Sequence, residues 1–136
     1  MDFCCQRKMI QDLENKILSH HVFVEAQEVE TCETFLGKKV FRKTYVTDGI
    51  INVGRDGALH IQDDLTFTDE LWIDMSNSFM KTKSSNIIYP LTANMDHDYA
   101  SMGFSVWCNK AGVRLISDSG WSDQWVKVVT IKYTKL

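Results

Sequence analysis

From Val22 to the C-terminus, apolar residues recur at every second position in short runs separated by turn residues. The closing run, Trp125 to Leu136, shows this most plainly, with Val129, Ile131 and Tyr133 alternating with Thr130, Lys132 and Thr134. Successive side chains of a strand point to opposite faces, so such a run buries one face and wets the other. Glu30–Leu36 and Val40–Val46 flank Gly37-Lys38-Lys39, and Phe104–Asn109 and Val113–Ile116 flank Lys110-Ala111-Gly112. Each pair is a hairpin signature, two β-prone runs around a short glycine-containing turn. His21–Glu25, Leu59–Ile61, Leu71–Met75 and Asn86–Tyr89 read as further strands. Pro90 closes the last of these, because proline cannot donate to a ladder. Asp48-Gly49 and Arg55-Asp56-Gly57 mark turns. Many short strands with turns between them predict a mainly β chain, an antiparallel β-sandwich.

The N-terminal stretch has a different period. Phe3, Ile10, Ile17 and Val24 recur at seven, with Gln6, Leu13 and His20 between them, while Lys8, Asp12, Glu14 and Lys16 point outward. That a/d pattern predicts a short helix from Asp2 to about His21. It fits a helix packed on its own domain or the last turns of a coiled-coil stem. The one boundary falls near His21, giving a helical lead-in over residues 1–21 and a sandwich head domain over 22–136.

A length of 136 residues suits one core, and 44% hydrophobic with 24% charged residues argues against disorder. A net charge of -3 argues against a nucleic-acid surface, where Lys and Arg neutralise phosphates. No apolar run approaches the roughly 18 residues needed to span a bilayer. The N-terminus shows no apolar core after its charges, so no signal peptide is expected and synthesis in the cytoplasm is. Of the four cysteines, Cys4 and Cys5 are adjacent and Cys32 and Cys108 are isolated. All four are read as reduced, with Cys32 and Cys108 as small apolar strand residues.

The titratable residues form no recognised catalytic frame. His20, His21, His60 and His97 lie outside any H-E-x-x-H spacing, and there is no G-x-S-x-G elbow or phosphate-binding glycine loop. His20-His21 could hold a metal only with symmetry mates, and Asp96-His97-Asp98 lacks the glycine and terminal Glu of a calcium loop. No catalytic residue, cofactor or metal is expected. The segment Ser117–Trp125 is different, because two tryptophans sit among Ser, Asp, Gly and Gln. Sugars stack apolar faces on aromatic rings while their hydroxyls meet carboxylates and amides. Trp121, Asp118, Asp123 and Gln124 are therefore the candidate receptor-binding residues. Trp121 fits equally a plug at one end of the sandwich, whereas Trp125, Trp72 and Trp107 are read as core.

Two segments carry a family resemblance. Glu33-Thr34-Phe35-Leu36-Gly37-Lys38-Lys39-Val40-Phe41-Arg42-Lys43-Thr44 and Val128-Val129-Thr130-Ile131-Lys132-Tyr133-Thr134-Lys135 resemble the opening and closing strands of the C-terminal head domain of phage tail-fibre and receptor-binding proteins. Tyr89-Pro90-Leu91 matches the central proline element of that domain, and Trp72-Ile73-Asp74 the strand before it. The similarity runs from about Val29 to Leu136. The family's longer stalk is not matched. The resemblance implies a homotrimer in the virion, recognition of a host-surface glycan or protein, and no catalysis. A purely structural fibre-tip or baseplate module is the alternative. A small glycan-active enzyme would need Asp118 and Asp123 to form a carboxylate pair across a cleft.

Overall fold

The computed structural model describes residues 6–13, 27–52, 57–85, 87–90, 104–117 and 120–136. β1 (Val29–Phe35) and β2 (Lys38–Thr47) form the expected opening hairpin. Its two-residue turn has positive φ at both Leu36 (50°) and Gly37 (78°), the geometry whose twist matches the flanking strands. β3 (Leu59–Gln62), β4 (Thr68–Ile73), β5 (Phe79–Thr82) and β6 (Ile88–Pro90) follow. β7 (Phe104–Asn109) and β8 (Gly112–Ser117) form the second expected hairpin, and β9 (Trp125–Lys135) closes the chain. The strands make an antiparallel β-sandwich, a six-stranded sheet facing a three-stranded sheet ordered β3-β8-β7.

β9 organises the larger sheet. One edge pairs with β2 from Lys127 to Tyr133; the other pairs with β5 over Trp125–Val128 and with β4 over Ile131–Lys135. β4 and β5 therefore lie end to end on one edge of β9, separated by a 3₁₀ turn at Met75–Asn77. Thr130 sits at that break and keeps the ladder satisfied. Its carbonyl accepts from the Asp74 N–H (2.8 Å), its N–H donates to Ser78 Oγ (3.0 Å), and its hydroxyl donates to the Asn77 carbonyl (2.8 Å). Buried backbone groups need such partners, and here side chains replace the missing strand bonds.

The core lies between the sheets. Val129, Ile131 and Tyr133 of β9 join Tyr45, Met80, Val113, Leu115, Ile51, Leu65 and Trp121 in one buried cluster. Polar ties lock the faces together. Asp63, just past β3, accepts from Tyr45 Oη (2.6 Å) and Lys43 Nζ (3.0 Å) of β2. The alternation read for β9 thus corresponds to its inner face. β5 is an addition that periodicity did not indicate.

Residues 6–13 are helical with every side chain exposed, Met9, Ile10 and Leu13 included. Phe3, Ile17, His20, Val24 and the expected strand at His21–Glu25 lie outside the described residues. Among the described residues no helix is long and apolar enough to cross a membrane.

Replacing Thr130 by Val keeps the volume but removes the hydroxyl from the Asn77 carbonyl and from Thr44 Oγ1 (2.9 Å). Leaving buried polar groups unpaired costs about 1–3 kcal/mol. Urea unfolding of the variant should show that loss, and an unchanged midpoint would remove Thr130 from this role.

Candidate functional site

The three-stranded sheet has two distinct faces. Leu59 and Ile61 of β3, Val113 and Leu115 of β8, and Val106 and Cys108 of β7 pack on or within the core. The residues between them belong to the opposite face, and the strand register sets them in rows. His60, Arg114 and Trp107 are cross-strand neighbours, and Gln62, Gly112 and Asn109 form the next row. Together with the 63–66 segment these rows line an open groove of about 750 Å³.

Trp107 is the groove's aromatic surface. It is 45% exposed, an unusual state for a tryptophan within a sandwich strand. The Arg114 guanidinium lies 5.2 Å from its ring centroid, in cation–π range. At Gly112 (φ 132°) a Cβ would come within 2.1 Å of the Ile61 carbonyl, so no larger residue fits there. The middle of the second row is consequently bare backbone between the Gln62 and Asn109 side chains. Asn109 Oδ1 accepts from the Ala111 N–H (2.8 Å), which leaves its NH₂ and a second lone pair on Oδ1 for other partners.

The ionised groups of the groove are held by neighbours. Burial alone would raise the Asp63 carboxyl, but the bonds from Tyr45 and Lys43 outweigh it and hold the group below the usual carboxylate range. Burial, and then the same contact with Asp63, push the Tyr45 hydroxyl far up, so it stays a neutral donor. Asp64 Oδ1 accepts from the Thr66 hydroxyl (2.7 Å) and N–H (3.1 Å), and those bonds lower its proton affinity. Lys110 donates to the Thr68 carbonyl and to Thr68 Oγ1 (3.0 Å). An exposed ring beside fixed carboxylates and amides can stack and hydrogen-bond a polyhydroxylated ligand. Among the described residues no group of three or more His, Cys, Asp or Glu is arranged to hold a metal ion.

The residues that the sequence put forward lie elsewhere. Trp121 is buried (6% exposed), and its backbone bridges Ile51 through two hydrogen bonds of 2.9 and 2.6 Å. Its indole N–H donates to Ser117 Oγ (2.9 Å), and its ring meets Trp125 edge-on at 4.8 Å, with Tyr89 at 6.4 Å. Trp121 is the plug and not a surface platform. Asp123 and Gln124 are exposed in the turn before β9, and Asp118 lies outside the described residues, so the pair Asp118 and Asp123 has no geometry here. His20-His21 and Asp96-His97-Asp98 are outside them too.

Three other readings are corrected. Trp107, expected in the core, faces the groove. Trp72 is half-buried against Phe35, ring centroids 5.2 Å apart, and is not part of the core cluster. Cys32, expected as a small apolar strand residue, is exposed, whereas Cys108 packs against the core as expected, its thiol pushed up by burial; both are free thiols. One signal for Trp107 was present in the sequence. It shares strand parity with Ser105 and Asn109, whereas Phe104, Val106 and Cys108 share the other.

No family matches the chain, and no curated protein or solved structure matches it either. The fold class is that of a β-sandwich, and the functional reading rests on the site alone.

Two outcomes follow. Trp121→Ala should cost about 3–5 kcal/mol in a denaturant titration, the range for removing a core aromatic, and a near-neutral effect would return Trp121 to the surface. Glu28, Asp63 and Asp74 are all held below their ordinary values of 4.5, 3.8 and 3.8. Their stabilisation is complete above those values and is lost as pH falls through the depressed ones. Melting temperature should drop steeply below about pH 4, and less steeply in Asp63→Asn; parallel curves for the two proteins would contradict this.

Proposed function

We propose that this chain is a non-enzymatic head domain of the phage tail-fibre kind, a homotrimer in the virion that binds a glycan on the host cell surface. The observation that carries the reading is the exposed ring of Trp107 in a groove edged by Gln62, Asn109 and Asp63. Stacking on an aromatic face combined with hydrogen bonds to amides and carboxylates is how proteins hold sugars. The groove lies on the outer face of the smaller sheet, so adhesion requires no rearrangement of the core.

Apolar surface supports self-association. The outer face of the larger sheet leaves Val46 38% and Ile88 59% exposed, and the helix over residues 6–13 presents Met9, Ile10 and Leu13. Exposed apolar groups of this kind favour contact with further copies. Three groove sites on one particle would raise avidity without any new contact. Mass measurement by light scattering should return three times the mass of one chain.

Trp107→Ala is the direct test. The ring is half out of the protein, so stability should change by no more than about 1 kcal/mol. Binding to host cells or immobilised cell-surface polysaccharide should fall at least about tenfold, the loss of roughly 1.4 kcal/mol per site. Full binding by a folded variant would reject the groove.

A further inference from the structure

We infer that Arg114 is the positioning residue of the groove: its guanidinium holds the Trp107 indole flat over the central strand, so that a ligand is taken by stacking on the ring's outward face. The inference rests on the glycan-binding reading and deepens it. Trp107 of β7 and Arg114 of β8 are direct cross-strand partners, with His60 of β3 on the other side of Arg114. Opposed residues of an antiparallel pair have Cβ atoms roughly 5 Å apart, so both rings are within the arginine's reach. The guanidinium is found over the indole, 5.2 Å from its centroid. Arg114 is half-buried and its Nε is shielded from solvent, whereas Trp107 is 45% exposed. The arginine therefore lies on the sheet side of the pair, and the indole's other face is the one turned to solvent. Gly112, the next same-face residue along β8, adds no side chain that would tilt the stack.

An indole half out of the protein would otherwise sample several rotamers. Ordering such a side chain only when the ligand arrives weakens binding by a few-fold to about tenfold. Arginine suits the task, because its planar guanidinium stacks on an aromatic face, whereas a lysine ammonium is a point charge on a flexible stem. The ring is then a prepared platform, with one face committed to the protein and one to the ligand. Rigid aromatic anchors of this kind supply contact area at little entropic cost. Such a platform takes the apolar face of a single sugar ring and leaves the sugar's hydroxyls at the periphery, where the Asn109 and Gln62 amides of the next row stand.

The test compares Arg114→Lys, Arg114→Met and Trp107→Ala in the full chain, with the last two also combined. Immobilised host cell-surface polysaccharide should bind Arg114→Met at least about threefold more weakly than the parent, with Arg114→Lys between the two. In the Trp107→Ala background, Arg114→Met should weaken binding no further, because the arginine acts through the ring. Relaxation of the Trp107 indole N–H, measured without ligand, should report a ring ordered in the parent and mobile on the ps–ns timescale in Arg114→Met. Losses that add in the double variant would make Arg114 a direct ligand contact and overturn the inference while leaving glycan binding intact. An indole equally ordered in both proteins would overturn it too. Should Arg114→Met fail to fold, Arg114→Lys carries the same comparisons, and full affinity in that variant would reject stacking by the guanidinium. A parent protein that binds no polysaccharide would remove the glycan-binding reading, and the platform with it, whatever the relaxation shows.

Discussion

β9 is hydrogen-bonded along both edges, and most of the molecule is arranged by that fact. β2 occupies one side, while β4 and β5 share the other in tandem. A strand paired on both sides has its backbone satisfied and its register fixed, so its inner residues must meet the opposite sheet. Val129, Ile131 and Tyr133 do so against Val113 and Leu115 of β8. The 3₁₀ turn between β4 and β5 interrupts the pairing without leaving orphans, because Thr130, Ser78 and Asp74 supply the missing partners. Asp74 is itself held by Ser76 and Asn77, at 2.8 and 2.7 Å.

The smaller sheet inherits its orientation from the same core. With Leu115 and Val113 pointing inward, Arg114 belongs to the other face, and register carries His60 and Trp107 with it. Asp63 connects the two levels. It is anchored to β2 through Tyr45 and Lys43, and it lines the groove at the end of β3. The groove is thus built on paired strands tied to the core, which holds its side chains more rigidly than loops would.

What the sequence revealed and what it hid divide along physical lines. Both hairpins and β9 were legible because local turn chemistry and period-two alternation specify them without help from the rest of the fold. β5 was hidden because Phe79 and Met80 are both apolar, so no alternation marks an inner face; pairing with β9 decides it. Trp121 lies in a polar, irregular segment whose bridging partner, Ile51, is far away in the chain, so nothing local announces that it is buried. Trp107 was misplaced by residue type. Tryptophan in a strand is usually interior, yet the parity of its neighbours pointed outward. The acidic and amide residues of the groove come from β3, β7 and the turn after β3, and only strand register brings them together.

These relations leave one ring, Trp107, exposed in the groove and make another, Trp121, part of the core. Indole N–H resonances of the four tryptophans separate the two roles in a single experiment, because each ring reports on its own surroundings. When host cell-surface polysaccharide is added to isotope-labelled protein, the Trp107 signal should shift in proportion to occupancy while the Trp121 signal stays in place and resists exchange with solvent. A shift at Trp121 or Trp125 with Trp107 unmoved would contradict the account.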